Sequence, residues 1–221
     1  MKARYCHVTD AGIKELCNNI VPIETLDILG TNVTKNGIRM VLESLPSLKV
    51  FSCDFPTELL AELSGTPLER MRSTVSNIWL NSGFGGNWRI GGNELLELLK
   101  LKTLSKLHIQ SSLENYAELT FNGGFIPLLK HFGSSLTSLS IEEIFKCPID
   151  IRAIVENCHK LESLTLVNIW TISTEQSENE PNTSKRMKTD PVLKNLKILK
   201  LGYCYDMKSK DLDLLLASPA L

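Results

Sequence analysis

The stretch LTSLSIEEIFKCPIDIRAIVENCHKLESLTL, residues 136–166, contains one full copy of a pattern that recurs along the 221-residue chain. It begins and ends with the same L-x-x-L-x-I/L phrase, and the two copies are Leu136-Leu139-Ile141 and, 25 residues later, Leu161-Leu164-Leu166. Between them, apolar residues follow the i, i+3, i+4, i+7 spacing of an amphipathic helix. These residues are Ile151, Ile154, Val155 and Cys158. The stretch therefore predicts a strand, a helix and a second strand.

Both parts of the pattern recur elsewhere, and such an internal repeat predicts an array of similar units that share one core. The further strand phrases are Ile23-Leu26-Ile28, Leu48-Phe51-Cys53, Leu104-Leu107-Ile109 and Leu196-Leu199-Leu201. The further helical stripes are Ile13-Leu16-Cys17-Ile20, Ile38-Val41-Leu42-Leu45, Phe125-Leu128-Leu129-Phe132, Leu95-Leu98-Leu99 and Leu212-Leu215-Leu216. Thr9 and Thr34 precede the first two helices, where we expect their hydroxyls to cap the helix N-termini.

One more strand is expected between residues 48 and 104, and two registers are open there. The phrase Val75-Ile78-Leu80 gives spacings of 27 and 29 residues to its neighbours. The alternative is Leu68-Met71-Ser73, with spacings of 20 and 36. We prefer the first because it stays closer to the 25-residue period.

A longer pattern, L-x-x-L-x-L-x-x-C, is found at Leu196-Leu199-Leu201-Cys204, and the Thr-Asp and Gly-Ile turn that follows it is found in residues 6–13. The chain thereby resembles the leucine-rich repeat family, and more closely its cysteine-containing subclass, although Thr31 and Ile144 stand where cysteine would. The resemblance implies an α/β solenoid, a curved stack of parallel strands on the concave face with helices on the convex face. We expect a single solenoid over residues 1–221 that is incomplete at both ends, with residues 171–191 as a disordered loop insert.

Alternate residues of each strand phrase should face the concave side, where they are free to contact a partner. They are mostly small and polar, which suits a protein partner better than a phosphate backbone. A formal net charge of -1 also argues against nucleic-acid or membrane binding. The predicted protein-binding residues are Thr25, Asp27, Ser52, Asp54, Lys106, His108, Gln110, Ser138, Ser140, Glu142, Ser163, Thr165 and Lys200.

The resemblance implies an interaction module. Cysteine-containing leucine-rich repeats are typical of substrate-recognition subunits of cullin-type ubiquitin ligases, so a ligase adaptor is an implied partner, reached through a region outside this chain. The alternative is a leucine-rich repeat regulator that inhibits or activates an enzyme or a small GTPase. We expect no enzymatic activity, because no nucleophile-elbow, zinc-protease or kinase motif occurs.

No cofactor or metal is expected either. Cys6-His7 and Cys158-His159 each place only two ligand types together, and adjacent residues point to different sides of an element. A glycine cluster over residues 83–92 lacks the Gly-Lys-Ser/Thr ending of a phosphate loop and is better interpreted as a connection. Trp79 and Trp88 flank it, and each either packs on the core or stands exposed as a contact.

Six scattered cysteines without a C-x-x-C pair predict reduced thiols, mostly buried. The start of the chain has no signal-peptide core, and no run of 18 apolar residues occurs, so we expect a cytoplasmic protein. Lys185, Arg186 and Lys188 fit a short nuclear-import pattern, which would add a nuclear location. The other interpretation of this basic cluster is a solvated loop.

Overall fold

The computed structural model describes residues 1–19, 22–56, 58–62, 64–82, 92–111, 120–144, 147–170, 172–173 and 192–221. Within these ranges seven strands form one sheet in the order β1-β2-β3-β4-β5-β7-β9, and every neighbouring pair is parallel. Those strands are β1 (Thr25–Asp27), β2 (Val50–Asp54), β3 (Val75–Ser82), β4 (Lys106–Ser111), β5 (Ser138–Glu142), β7 (Ser163–Ile169) and β9 (Ile198–Cys204). The short strands β6 (Ile149–Asp150) and β8 (Ile172–Ser173) pair separately. The predicted α/β fold with parallel strands is confirmed.

From β1 to β7, at least one helix lies between each strand of the large sheet and the next. The described helices are α1 (Asp10–Asn18), α2 (Lys35–Ser44), α3 (Glu58–Glu62), α4 (Gly65–Thr74), α5 (Gly92–Glu97), α6 (Ile126–Phe132), α7 (Ile151–Asn157) and α8 (Ser209–Leu216). A 3₁₀ turn, Leu98–Lys100, follows α5, and a π-helical turn, Phe121–Phe125, leads into α6. Neighbouring helices contact each other along the array, for example α1 with α2 and α6 with α7.

One continuous core lies between the sheet and the helices. Along β5, Leu139 and Ile141 are completely buried, whereas the residues between and beside them are half-buried. The helical stripe Ile151, Ile154 and Val155 packs into the same core. This alternation follows from the period of two in a strand, which turns one set of side chains to the core and the other set to the opposite face.

The strand between residues 48 and 104 takes the preferred register. Ile78 and Leu80 are buried in β3, whereas Met71 of the competing phrase lies in α4. Helices α3 and α4 were not predicted, because their apolar residues are few and do not form the four-residue stripe.

The two predicted helix caps have different outcomes. The Thr34 hydroxyl accepts a hydrogen bond from the Asn36 backbone N–H at 3.2 Å, as expected for an N-cap. Thr9 stands at the N-cap position of α1 but makes no such bond, so that prediction was wrong. The next residue, Asp10, instead accepts hydrogen bonds from the Thr34 backbone N–H (2.8 Å) and hydroxyl (2.5 Å). This carboxylate therefore joins the starts of α1 and α2.

A residue with a left-handed backbone conformation recurs at the same position of several repeat units. In four of them it follows the last residue of the strand phrase by two positions. Positive φ angles are found at Tyr5, Gly30, Glu143, Asn168 and Tyr203. Such a residue interrupts the strand alternation, and the next residue turns back to the core, which is why Ile144 and Ile169 are fully buried. The left-handed backbone costs a non-glycine residue about 1 kcal/mol, and the repeated packing offsets this cost.

Part of the segment predicted to be a disordered loop is ordered. Ile172 and Ser173 form β8, which pairs with β6, so the prediction was wrong at these two residues. Residues 174–191 lie outside the described residues, and with them the nuclear-import candidates Lys185, Arg186 and Lys188. Most of the glycine cluster and Trp88 also lie outside them, while Gly92 begins α5.

Candidate functional site

The core-distant residues of the sheet stand in rows because the strands are parallel and in register. We call this surface the polar face. One row contains Asp27, Ser52, Asn77, Lys106, Ser138, Ser163 and Ile198. The next row contains Asp54, Trp79, His108, Ser140, Thr165 and Lys200. A third row contains Gln110, Glu142, Val167 and Gly202.

The thirteen predicted binding residues all lie on the strands of this sheet, but their accessibility differs. Thr25, Lys106 and Lys200 are exposed. Eight are half-buried, namely Asp54, His108, Gln110, Ser138, Ser140, Glu142, Ser163 and Thr165. Asp27 and Ser52 are buried, with 4% and 2% of their surfaces exposed, so the structure contradicts their assignment as accessible contacts.

Partners from other elements cover those two residues. The Arg4 guanidinium donates through Nε to Asp27 Oδ2 at 2.5 Å, and the Asn77 amide donates to the Ser52 hydroxyl at 3.3 Å. Arg4 reaches this position because the N-terminal residues run beside β1. The Ala3 N–H donates to the Asp27 carbonyl at 2.8 Å, and the Tyr5 N–H donates to the Leu29 carbonyl at 2.9 Å.

An aromatic and polar cluster occupies the middle of the polar face. The rings of Trp79 and His108, on neighbouring strands, have their centroids 3.7 Å apart with 32° between their planes. His108 Nδ1 lies 3.7 Å from Glu142 Oε1, and the Ser140 hydroxyl donates to the same carboxylate oxygen at 2.8 Å. The Nε2 atom of His108 is buried and has no hydrogen-bond partner among the described residues.

Burial sets the charge of His108. Desolvation lowers the pKa of His108 below its ordinary value of 6.5, and it outweighs the opposing effects of the Glu142 carboxylate and the hydrogen bond with Gln110. The imidazole is therefore neutral at pH 7. Glu142 is held by the Ser140 hydroxyl rather than by an imidazolium ion.

The lowered pKa of His108 makes stability depend on pH in a predictable direction. As the pH falls below about 6.5, the unfolded chain takes up a proton at His108 while the folded protein does not. The contribution of His108 to stability is thus complete above that pH and is lost as the pH falls toward the lowered pKa. We expect urea unfolding between pH 7 and 5.5 to show a steeper loss of unfolding free energy for the wild type than for His108→Gln. Equal slopes for the two proteins would contradict this assignment.

A cavity of about 160 Å³ opens beside the cluster on the polar face. It lies where the N-terminal segment meets β3, β4 and β5. Its lining residues are Arg4, Leu29, Asn77, Ile78, Trp79, Lys106, Leu107, His108, Ser138 and Ser140.

Asn77, Trp79 and Arg4 were not among the residues predicted to lie on the polar face. The first two hold the third and fifth positions of the preferred Val75-Ile78-Leu80 phrase, so counting concave-face positions in that phrase as in the others would have identified them. Arg4 lies 25 residues before Leu29, which also lines the cavity. The repeat period of 25 residues therefore places Arg4 beside Leu29 on the polar face.

The six cysteines differ in their exposure. All six are free thiols; Cys53, Cys147 and Cys158 are buried, Cys17 and Cys204 are half-buried, and Cys6 is exposed. Burial raises the pKa of Cys147 and of Cys158 to about 12, so these two thiols stay protonated and weakly nucleophilic. Across the part of the chain that the structure describes, no group of three or more His, Cys, Asp or Glu side chains is arranged to hold a metal ion. No helix in the same ranges combines the length and apolar character needed to cross a bilayer.

Fold and surface together define an α/β protein with a parallel sheet, one side of which carries rows of polar residues. No protein-family model and no curated protein matches the chain. Among solved structures, the chain is similar in fold to a chain in the crystal structure of the Rad7 and Elc1 complex of yeast. The TM-score is 0.51 at 16% sequence identity, over 74% of this chain. The match covers 38% of the other chain, so this protein corresponds to well under half of that chain's length.

Proposed function

We propose that this protein is a leucine-rich repeat interaction module that binds a partner protein on the polar face, which we take to be the concave side of a curved solenoid. The observation that carries the proposal is the alignment of polar side chains in rows around the Trp79 and His108 cluster. Binding energy at protein interfaces concentrates in a few aromatic and cationic residues surrounded by small polar ones. The middle of the polar face has this composition.

The composition of the strands also supports a role in binding. Ser138, Ser140, Ser163 and Thr165 are short, half-buried hydroxyl residues on adjacent strands. They leave the surface open to an approaching chain and supply hydrogen-bond donors and acceptors. The fold likeness is consistent with the proposal, since the similar chain belongs to a complex of two proteins.

The cysteine-containing pattern at Leu196–Cys204 extends the proposal to a class of partner. In proteins with this pattern the repeat array commonly selects substrates for a cullin-type ubiquitin ligase. We propose that role here, with the ligase adaptor bound by a region outside this chain. The competing role is the regulation of an enzyme or a small GTPase through the same face.

Affinity purification with matched variants tests the proposal. We expect Thr165→Arg, which places a long cation on the polar face in the row of Trp79 and His108, to reduce partner capture about tenfold, as a clash within a binding surface should. Ser134→Arg adds the same group in the exposed turn that follows α6 and should leave capture unchanged. The readout is mass spectrometry of the proteins that co-elute with each tagged variant.

The same purification separates the roles. A cullin and its adaptor among the proteins retained by the wild type would support the ligase role, and their absence beside a retained enzyme or GTPase would support the regulator. Partner capture that is equally strong with Thr165→Arg and Ser134→Arg would contradict the assignment of the polar face.

A further inference from the structure

The charged residues that line the cavity beside Trp79 and His108 are all positively charged. Arg4 and Lys106 are the charged residues in its lining, and both are cationic. Asn77 and Ser138 add neutral groups that can donate hydrogen bonds, whereas the Ser140 hydroxyl donates to Glu142. No carboxylate is among the lining residues, although three carboxylates occur on the nearby strands.

Those three carboxylates are engaged elsewhere. Asp27 accepts from Arg4, and Asp54 accepts from the Gly30 backbone N–H at 2.8 Å. Glu142 accepts from the Ser140 hydroxyl. Lys106, in contrast, is exposed and makes no ion pair with any residue that the structure describes. The cavity therefore holds a cation whose countercharge the described chain does not supply.

The size and apolar parts of the cavity restrict what can enter. A volume of about 160 Å³ is smaller than the roughly 300–1,000 Å³ of pockets that hold whole small ligands. That space accommodates the end of one side chain but not a folded segment. Trp79 and Leu29 supply apolar surface, against which methylene groups can pack.

We infer that this cavity receives the carboxylate of an aspartate or glutamate side chain of the partner protein, with Lys106 as its ion-pair partner. The Ser138 hydroxyl and the Asn77 amide line the same cavity and can donate hydrogen bonds to this carboxylate, and Trp79 contacts its methylene groups. The inference rests on the proposed function, because it names the group that the partner presents to the polar face.

A titration with small probes tests the cavity without the partner. We would follow backbone and indole signals of the ¹⁵N-labelled protein by NMR while adding N-acetylglutamic acid α-amide, whose one carboxylate is that of the side chain. Saturable shifts of Trp79 and of neighbouring residues are expected. N-acetylglutamine amide, the uncharged analogue, should give no saturable shift.

Matched lysine variants identify the cation. Lys106→Gln is expected to weaken binding of the acidic probe about fivefold, the equivalent of an ion pair worth about 1 kcal/mol. Lys200→Gln removes the same charge from the same face, three strands or about 14 Å away, and should leave the affinity unchanged. Equal losses in the two variants would indicate nonspecific attraction and would overturn the inference.

A further probe distinguishes the source of the carboxylate. N-acetylglycine presents a chain-terminal carboxylate. Tighter binding of this probe would indicate that the cavity receives the C-terminus of a partner rather than an acidic side chain, which would overturn the inference as stated. Failure of both acidic probes would also overturn it. The result of the Thr165→Arg experiment does not depend on these titrations. Failure of the proposed carboxylate site can therefore be distinguished from failure of the proposed polar-face interface.

Discussion

Replacing Gly133 by alanine is expected to destabilise the protein by about 2 kcal/mol, within the range for overpacking a filled interior. Gly133 follows α6, and a Cβ atom there would overlap the backbone carbonyl oxygen of Asn157, at the end of α7. A backbone atom cannot rotate away as a flexible side chain can, so the two helix ends must separate. The measurement is the free energy of unfolding by urea.

Gly12→Ala is the matched control. Gly12 lies inside α1, and the nearest atom to its added Cβ would be a Val8 methyl carbon at the ordinary contact distance of 3.6 Å. Alanine is a better helix former than glycine, so this change should stabilise the protein by up to about 1 kcal/mol. If Gly133→Ala stabilised the protein as well, the close approach of α6 and α7 would be refuted.

Leu139→Ala should have the larger effect, a loss of about 3 kcal/mol in the free energy of unfolding. Leu139 is completely buried in β5 and packs in the core between sheet and helices. Truncation leaves a cavity that the flanking strands, hydrogen-bonded on both sides, cannot close.

Its neighbour Ser138 provides the comparison, because it points to the opposite side of the same strand. Ser138→Ala should change the free energy of unfolding by no more than about 0.5 kcal/mol. Similar losses at both positions would show that the assignment of core and polar sides along β5 is incorrect. In the NMR titration, Ser138→Ala should weaken binding of the acidic probe without the loss of unfolding free energy expected for Leu139→Ala.

Much of the fold could be predicted because residues that are buried recur with the period of the helix or strand that contains them. Ile151, Ile154 and Val155 follow the period of a helix, and Leu139 and Ile141 follow that of a strand, since in each case one side of the element packs on the core. Helices α3 and α4 were missed because their apolar residues do not follow this spacing as regularly. The left-handed residues Glu143 and Tyr203 were also missed, because neither residue type marks such a conformation as glycine does.

The candidate site was only partly predictable, and the reason lies in the register between β2 and β3. Phe51 pairs with Val75 and the following Ser52 pairs with Asn77, so β3 contains one extra residue, Ser76, at a bulge. The row of Asp27 and Ser52 consequently continues into Lys106, although counting along the phrases would align these two residues with His108. Counting positions could not detect this, because the bulge is not encoded in the apolar phrases.

Local periodicity was enough to predict the seven strands of the large sheet, six of the eight described helices and the core-facing side of β5 and its neighbours. Which side chains meet across strands could not be predicted from this periodicity. The stacking of Trp79 on His108, the burial of Asp27 under Arg4 and the grouping of Arg4 with Lys106 each join residues at least 23 positions apart. Such contacts depend on strand register and on the path of the N-terminal segment, which the packing of the whole chain sets.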